Sequence, residues 1–313
     1  MYCVVKHKLM KLIIATCQFP VSADITNNYR YISAQMRKAK AQGADVAHFP
    51  ECALSGYAGP DFSSYANFKW DELNVYMRKI LELAQELKLW IVVGSTHRLT
   101  GKHKPHNSHY IINDKGELID RYDKRFCAGN EKESSGDLAH YTSGNHFSVF
   151  TIKGIRCGTL ICHDYRYPEL YREYKRQGVQ VMFHSYHAGG IATKKYKEIQ
   201  KDIIEFAAFN EGSTFPAITM PATMRSYAAN NYVWISCPNS SAKESCWPAF
   251  FVRPDGVVTG RLRRNVSGVL ISTIDTSKQW YDSTIAWRKR AIDGMLNSGT
   301  LVKDARSSER TKL

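Results

Sequence analysis

Short β-branched runs alternate with longer amphipathic stretches, and this alternation constrains the fold more than any bulk property of the chain. "KLIIATCQF" (11–19), "DVAHF" (45–49) and "WIVVGST" (90–96) read as strands, while the apolar spacing over 28–42 and about 70–89 is helical. A chain that switches between these two periods builds layered α/β structure. Next, "SHYIINDKGELIDRYDK" (108–124) reads as two strands around an Asp-Lys-Gly turn, followed by a polar loop over 127–145 that has neither period. A polar loop of that length inside a compact domain commonly carries function. Strands resume at "HFSVFTI" and "IRCGTLI", a helix follows Pro168, and "VQVMFHS" is a further buried strand. A helix near 195–210 precedes the last strands, "NYVWISCP", "AFFVRPDGVV" and "GVLISTID". With no sequence repeat and no Gly/Ser- or Pro-rich linker, one domain is expected.

No apolar run approaches the roughly 18 residues that span a bilayer, and the first residues lack a long apolar segment with a small-residue cleavage site. The expectation is a soluble, cytoplasmic protein that makes no membrane contact. Eight cysteines (3, 17, 52, 127, 157, 162, 237 and 246) lie scattered in apolar segments without a CxxC pair, which suits buried thiols in a reducing compartment. The formal net charge of +14 gathers partly in "KKYK" (194–197), "RLRR" (261–264) and "WRKR" (287–290). No interleaved aromatics or nucleic-acid-binding motif accompanies these clusters, so a basic nucleic-acid-binding scaffold is the weaker alternative to an enzyme.

Three residues stand at strand ends. Cys162 follows the strand "CGTLI" and precedes a helix opened by Pro168, a corner where amide N–H groups and the helix dipole are expected to favour a thiolate. The competing reading is a small apolar filler, like Cys157 five residues earlier. Glu51 ends "DVAHFPE" at the edge of apolar surface, where an acid is suited to proton transfer, and Lys124 ends "ELIDRYDK", where an ammonium can stabilise a developing oxyanion. Taken singly, Glu51 reads rather as a helix-cap or surface acid, and Lys124 as one lysine among many.

Taken together, "FPEC-LSGY" around Glu51, "YDKRF" around Lys124 and "GTLICHDYRYPELYR" around Cys162 resemble the motifs of the nitrilase superfamily of carbon–nitrogen hydrolases. The likeness runs from about residue 11 to 287, leaving a ten-residue N-terminal extension and a charged, frayed tail over 288–313. It implies a four-layer α-β-β-α sandwich, pairing into homodimers or larger homo-oligomers, and catalysis with no metal or organic cofactor. It further implies Cys162 as nucleophile, Glu51 as general base and Lys124 as stabiliser of the tetrahedral intermediate, with the backbone N–H of His163 as a second oxyanion donor. Relatives often carry a second acid near the site; Glu131, Glu133 and Asp137 compete for it, and Glu131 is preferred for its spacing from Lys124.

"CHDYRYPEL" resembles the amidase-type members of the superfamily, and the Trp-Glu that usually follows the cysteine of true nitrilases is absent. Hydrolysis of a small amide or N-carbamoyl compound is therefore expected over nitrile hydrolysis. His163 departs from the family pattern, which frequently has an aromatic there. In "FHSYHAGG" (183–190), His184, Ser185, Tyr186 and His187 are expected to line the pocket with hydrogen-bonding groups, with Arg166 near its mouth. A zinc reading of His103, His106 and His109 is disfavoured, because nothing completes the ligand set and loop histidines more often decorate a surface.

Overall fold

The computed structural model describes residues 10–311, so the expectation for the N-terminal extension falls almost wholly outside the described residues. Among these residues, twelve strands form two six-stranded mixed sheets. The first sheet has the order β12-β1-β2-β3-β4-β5, built from Lys11–Gln18 (β1), Val46–His48 (β2), Trp90–His97 (β3), His106–Ile112 (β4), Leu118–Asp123 (β5) and Gly268–Asp275 (β12). The second has the order β6-β7-β8-β9-β10-β11, built from Val149–Ile152 (β6), Ile155–Ile161 (β7), Val181–Ser185 (β8), Trp234–Cys237 (β9), Phe250–Val252 (β10) and Val258–Arg261 (β11). Walking from β12 or from β6, the pairings repeat as antiparallel, parallel, parallel, antiparallel, antiparallel. The two sheets therefore share one layout, although their sequences show no repeat.

Side-chain alternation along β1 assigns the layers. Leu12 and Ile14 point inward, into an apolar cluster with Val92, Phe150, Val181, Phe183 and Phe251 that joins the two sheets face to face. Ala15 and Cys17 point outward, against the helices Ile25–Ala41 (α1) and Trp70–Leu87 (α2). On the far side, the second sheet packs on Pro168–Arg176 (α3) and Phe215–Asn231 (α5), with Leu170, Tyr174, Met220 and Met224 buried between them. This is the α-β-β-α sandwich. Thr193–Lys201 (α4) and the short helices Arg288–Ile292 (α6) and Ala305–Ser308 (α7) complete the α-helices, and among the described residues no helix is long and apolar enough to cross a membrane.

Two expectations are corrected here. The helix expected to reach residue 210 ends at Lys201 and gives way to a 3₁₀ segment, Ile204–Phe209. The sequence reading also omits α5, which starts with Thr214 Oγ1 accepting from Ala217 N at 3.2 Å and carries Pro221 inside it. Proline normally breaks such a helix, and here burial of Ala217, Met220, Met224 and Ala228 against the second sheet outweighs that cost.

The sandwich interior also holds neutral histidines. Thr16, Ser236, His48 and Ser185 form a chain of hydrogen bonds at 2.7, 2.9 and 2.8 Å that ends on the carbonyl of Phe49. His109 sits nearby on β4, its Nδ1 2.5 Å from Thr159 Oγ1. Of the three histidines considered for zinc, His109 is thus a core residue on a strand, His106 Nδ1 donates to the carbonyl of Thr142, and His103 is exposed. Burial first, then neighbouring charges, holds the pKa values of His48 and His109 well below the usual imidazole range, and burial lowers that of His184 to about 3. In the unfolded chain these groups take protons near pH 6.5, so the unfolded state binds more protons as the pH falls below that value. Stability is therefore expected to drop below pH 6.5 by about 1.4 kcal/mol per pH unit for each such histidine. Urea midpoints at pH 7 and pH 5 measure it, and the slope should shrink in His184→Gln.

Candidate active site

The first of the site residues comes just after β2. The chain turns sharply there: Phe49 N donates to the carbonyl of Val92 at 2.9 Å, and Glu51 N to that of Tyr186 at 3.2 Å. Gly94 on β3 makes the turn fit, since a Cβ at that position would lie 2.3 Å from the carbonyl oxygen of Pro50 and 2.5 Å from the nitrogen of Cys52. Glu51 is fully buried. Its Oε1 accepts from Lys124 Nζ at 2.8 Å and from Asn107 Nδ2 at 2.7 Å, whereas Oε2 is buried without a well-formed hydrogen bond.

Lys124 follows β5 and is likewise fully buried, with its backbone N–H donating to Asn107 O at 2.8 Å. A second carboxylate meets it, Asp137 Oδ2 at 2.6 Å from Nζ. Asp137 reaches this point because the polar loop coils into a 3₁₀ turn, Gly136–Ala139, while Asp137 accepts hydrogen bonds from the Tyr57 hydroxyl and from Ala128 N. The preference for Glu131 is thereby corrected: Glu131 and Glu133 are exposed on the loop, and Asp137 is the acid that the loop folds inward. Burial works against the ammonium, but Asp137 and Glu51 outweigh it and hold the Lys124 pKa well above the usual lysine range. Burial likewise opposes ionisation of Asp137, yet Lys124 and the Tyr57 hydroxyl keep its carboxyl below its ordinary value. Accordingly, Asp137→Asn is expected to lower turnover by about 10²-fold, whereas Glu131→Gln leaves it unchanged within a factor of two. Ammonia release at saturating amide separates the two.

Cys162 follows β7, opening a 3₁₀ turn, Cys162–Arg166, and its φ of +41° places a non-glycine residue in the left-handed region. Such strain persists only where the surroundings enforce it, and it concentrates at functional sites. The expected thiolate is not what the surroundings favour: burial, then the charge of Glu51, pushes the Cys162 thiol well above the usual range, against a smaller opposing effect from Lys124. The surroundings therefore favour a protonated thiol beside the Glu51 carboxylate.

The expectation for the end of β8 and the residues just beyond it is corrected as well. His184, Ser185 and Tyr186 are fully buried supports whose polar groups are taken up by the protein itself, not free hydrogen-bonding groups lining a pocket. His184 Nε2 donates to the carbonyl of Cys162 at 3.2 Å, and its Nδ1 accepts from the Tyr171 hydroxyl at 2.8 Å, which fixes the tautomer beneath the cysteine turn. Ser185 caps the interior relay on Phe49, and the Tyr186 carbonyl braces Glu51. Buried His187 pairs with Asp61 at 3.1 Å. Half-buried His163 meets Tyr167 edge-on at 5.8 Å, and exposed Arg166 lies over the Tyr165 ring at 4.6 Å. Asn107 and Tyr57 escaped the sequence reading as site residues. Tyr57 at least closes the quoted "LSGY", but nothing in the linear sequence singles out Asn107.

Residues 13–281 match the family described as carbon-nitrogen hydrolase. The chain belongs to that family. Among curated relatives it is 29% identical over 153 residues to nitrilase homolog 2 of Dictyostelium discoideum, covering 47% of this chain and 45% of that protein. It is 27% identical over 172 residues to omega-amidase NIT2 of Homo sapiens, covering 54% of this chain and 61% of that one. The chain thus spans about half the length of the first of these curated relatives and three-fifths of the second. An amidase from Nesterenkonia sp. shares the fold with a TM-score of 0.69 at 18% identity, over 91% of this chain and 96% of that one.

Proposed function

We propose that this carbon–nitrogen hydrolase is a cysteine-dependent amidase acting on a non-peptide amide or N-carbamoyl bond, with residues 11–287 as its hydrolase domain. The observation that carries the reading is the buried Glu51 carboxylate, one oxygen held by Lys124 at 2.8 Å and the other without a well-formed hydrogen bond, against the Cys162 thiol. Because the thiol is protonated at rest, attack on the substrate carbonyl is coupled to transfer of its proton to Glu51. The tetrahedral oxyanion is held by the Lys124 ammonium and the backbone N–H of His163. Collapse expels ammonia or an amine, which takes the proton from Glu51, and leaves a thioester on Cys162. Glu51 then deprotonates water, which attacks the thioester; the acid departs and the thiol regains its proton.

Lys124 bridging two carboxylates is suited to holding that oxyanion, since its charge is fixed by Asp137 while Glu51 cycles between ionised and protonated forms. A panel of short aliphatic amides, ω-amides and N-carbamoyl amino acids, scored by ammonia release, identifies the substrate class. In the slowed variant Glu51→Gln, mass spectrometry should find the substrate's acyl group on the peptide containing Cys162. Turnover by the wild type with no acyl group there would overturn the covalent route.

A further inference from the structure

One buried carboxylate outside the proposed chemistry touches both of the strand ends that supply it. Asp164 is fully buried within the 3₁₀ turn that Cys162 opens. Its Oδ1 accepts from the backbone N–H of Phe126 at 2.8 Å, two residues beyond Lys124. Its Oδ2 accepts from the backbone N–H of Ile161 at 3.0 Å, the residue before Cys162, and from the Tyr122 hydroxyl at 2.8 Å, two residues before Lys124. Lys124 follows a strand of the first sheet and Cys162 a strand of the second, and no ladder hydrogen bond joins β5 to β7.

We propose that Asp164 is a positioning residue that sets the register between Lys124 and Cys162, tying the end of the first sheet to the nucleophile turn of the second. It rests on the reading of Cys162 and Lys124 given above. The carboxylate suits this task because all three partners are donors and an ionised carboxylate accepts from every one of them. Burial raises the Asp164 carboxyl to about 6, opposed by these same hydrogen bonds. Asparagine has nearly the same shape, but its amide presents N–H groups on one side. Whichever way it is turned, at least one of the Phe126 and Ile161 N–H groups then faces a donor. The cost falls on alignment, because a shift on the order of 1 Å between nucleophile and oxyanion donor is enough to cost about 10²-fold in rate.

The test uses the full chain with Asp164→Asn and Tyr122→Phe, at a temperature where near-ultraviolet circular dichroism shows both to be folded. The probe is iodoacetamide, whose reaction at Cys162 is followed by mass spectrometry of that peptide, alongside hydrolysis of whichever amide the wild type turns over. Alkylation in Asp164→Asn is expected to slow about tenfold, with its pH midpoint moved upward, because the thiolate is less well served by Lys124. The kcat should fall by about 10²-fold with little change in KM, and Tyr122→Phe, which keeps both backbone contacts, should fall between that variant and the wild type. Asp164 acting only as a packing residue predicts the opposite sign, since loosening the turn exposes the half-buried thiol and speeds its alkylation. Faster or unchanged alkylation overturns the proposal. Failure of the covalent reading itself appears separately, as amide turnover that survives Cys162→Ala.

Discussion

Cys162→Ala is expected to lower amide turnover by about 10⁴-fold or more while leaving the fold intact. The Cys162 thiol lies against the Glu51 carboxylate, and the nearest other thiol does not replace it: Cys52 feels the same charge but is fully buried, with its Sγ donating to Asn107 Oδ1 at 3.4 Å. Alanine still has to occupy a backbone φ of +41°, so the strain stays. Glycine adopts that conformation freely, and Cys162→Gly is expected to be about 1 kcal/mol more stable than Cys162→Ala and equally inactive. A pair of variants that are both dead yet differ in melting temperature would show strain and chemistry at one residue. Cys157→Ala provides the contrast. That thiol is buried in the apolar interior between the sheets, so its loss should reduce stability and leave turnover in place. Substantial activity in Cys162→Ala would sink the mechanism.

Lys124→Met should carry the second large effect, on stability and activity together. Methionine fills similar space, but it strands the Glu51 and Asp137 carboxylates in the interior with no cation between them. Removing one partner of a buried ionic cluster costs about 3–5 kcal/mol at neutral pH. The pH dependence has a definite sign. With Lys124 present, the depressed pKa of Asp137 adds stability above the unfolded value of 3.8, and that contribution is lost as the pH falls through the native value. Without Lys124, the burial of Asp137 loses its main opposing charge and its native pKa rises, so the penalty is largest at pH 7 and shrinks as the pH is lowered. Guanidinium midpoints at pH 7 and pH 5 measure this. Asp137→Asn added to Lys124→Met should recover part of the stability and none of the turnover. A Lys124→Met variant as stable as the wild type at pH 7 would contradict the ion cluster.

Much of the layered fold is readable from periodicity alone. The β1 and β3 runs, the α1 and α2 stripes and the Pro168 start of α3 all appear within a few residues of their structural bounds. Helix α5 does not. It carries Pro216 and Pro221, and its apolar residues do not form one clean stripe, so local signals read as irregular chain even though tertiary burial settles it as helix. The three strand-end residues were legible because each sits where an apolar run stops. The inward acid was not, since spacing along a loop says nothing about which residue a 3₁₀ turn will swing back, and Asp137 displaced Glu131 for that reason. His184 and Ser185 were misread for a related cause. Alternation tells which residues share a face of β8, but in a double-sheet sandwich both faces are buried, so polar residues there serve backbone carbonyls and one another.

The shared layout of the two sheets has a consequence for synthesis. In the second sheet, the antiparallel strand beside the first strand of the parallel core, β6, immediately precedes β7 in the chain; in the first, the equivalent place beside β1 is taken by β12. As the polypeptide leaves the ribosome, residues 11–123 can pair with one another, yet the outer edge of β1 stays open through the emergence of the entire second sheet. It closes when Gly268 to Asp275 arrive to pair with Gln18 to Lys11. Until then the half that carries Glu51 and Lys124 presents a bare strand edge, the feature most prone to pairing with another nascent chain.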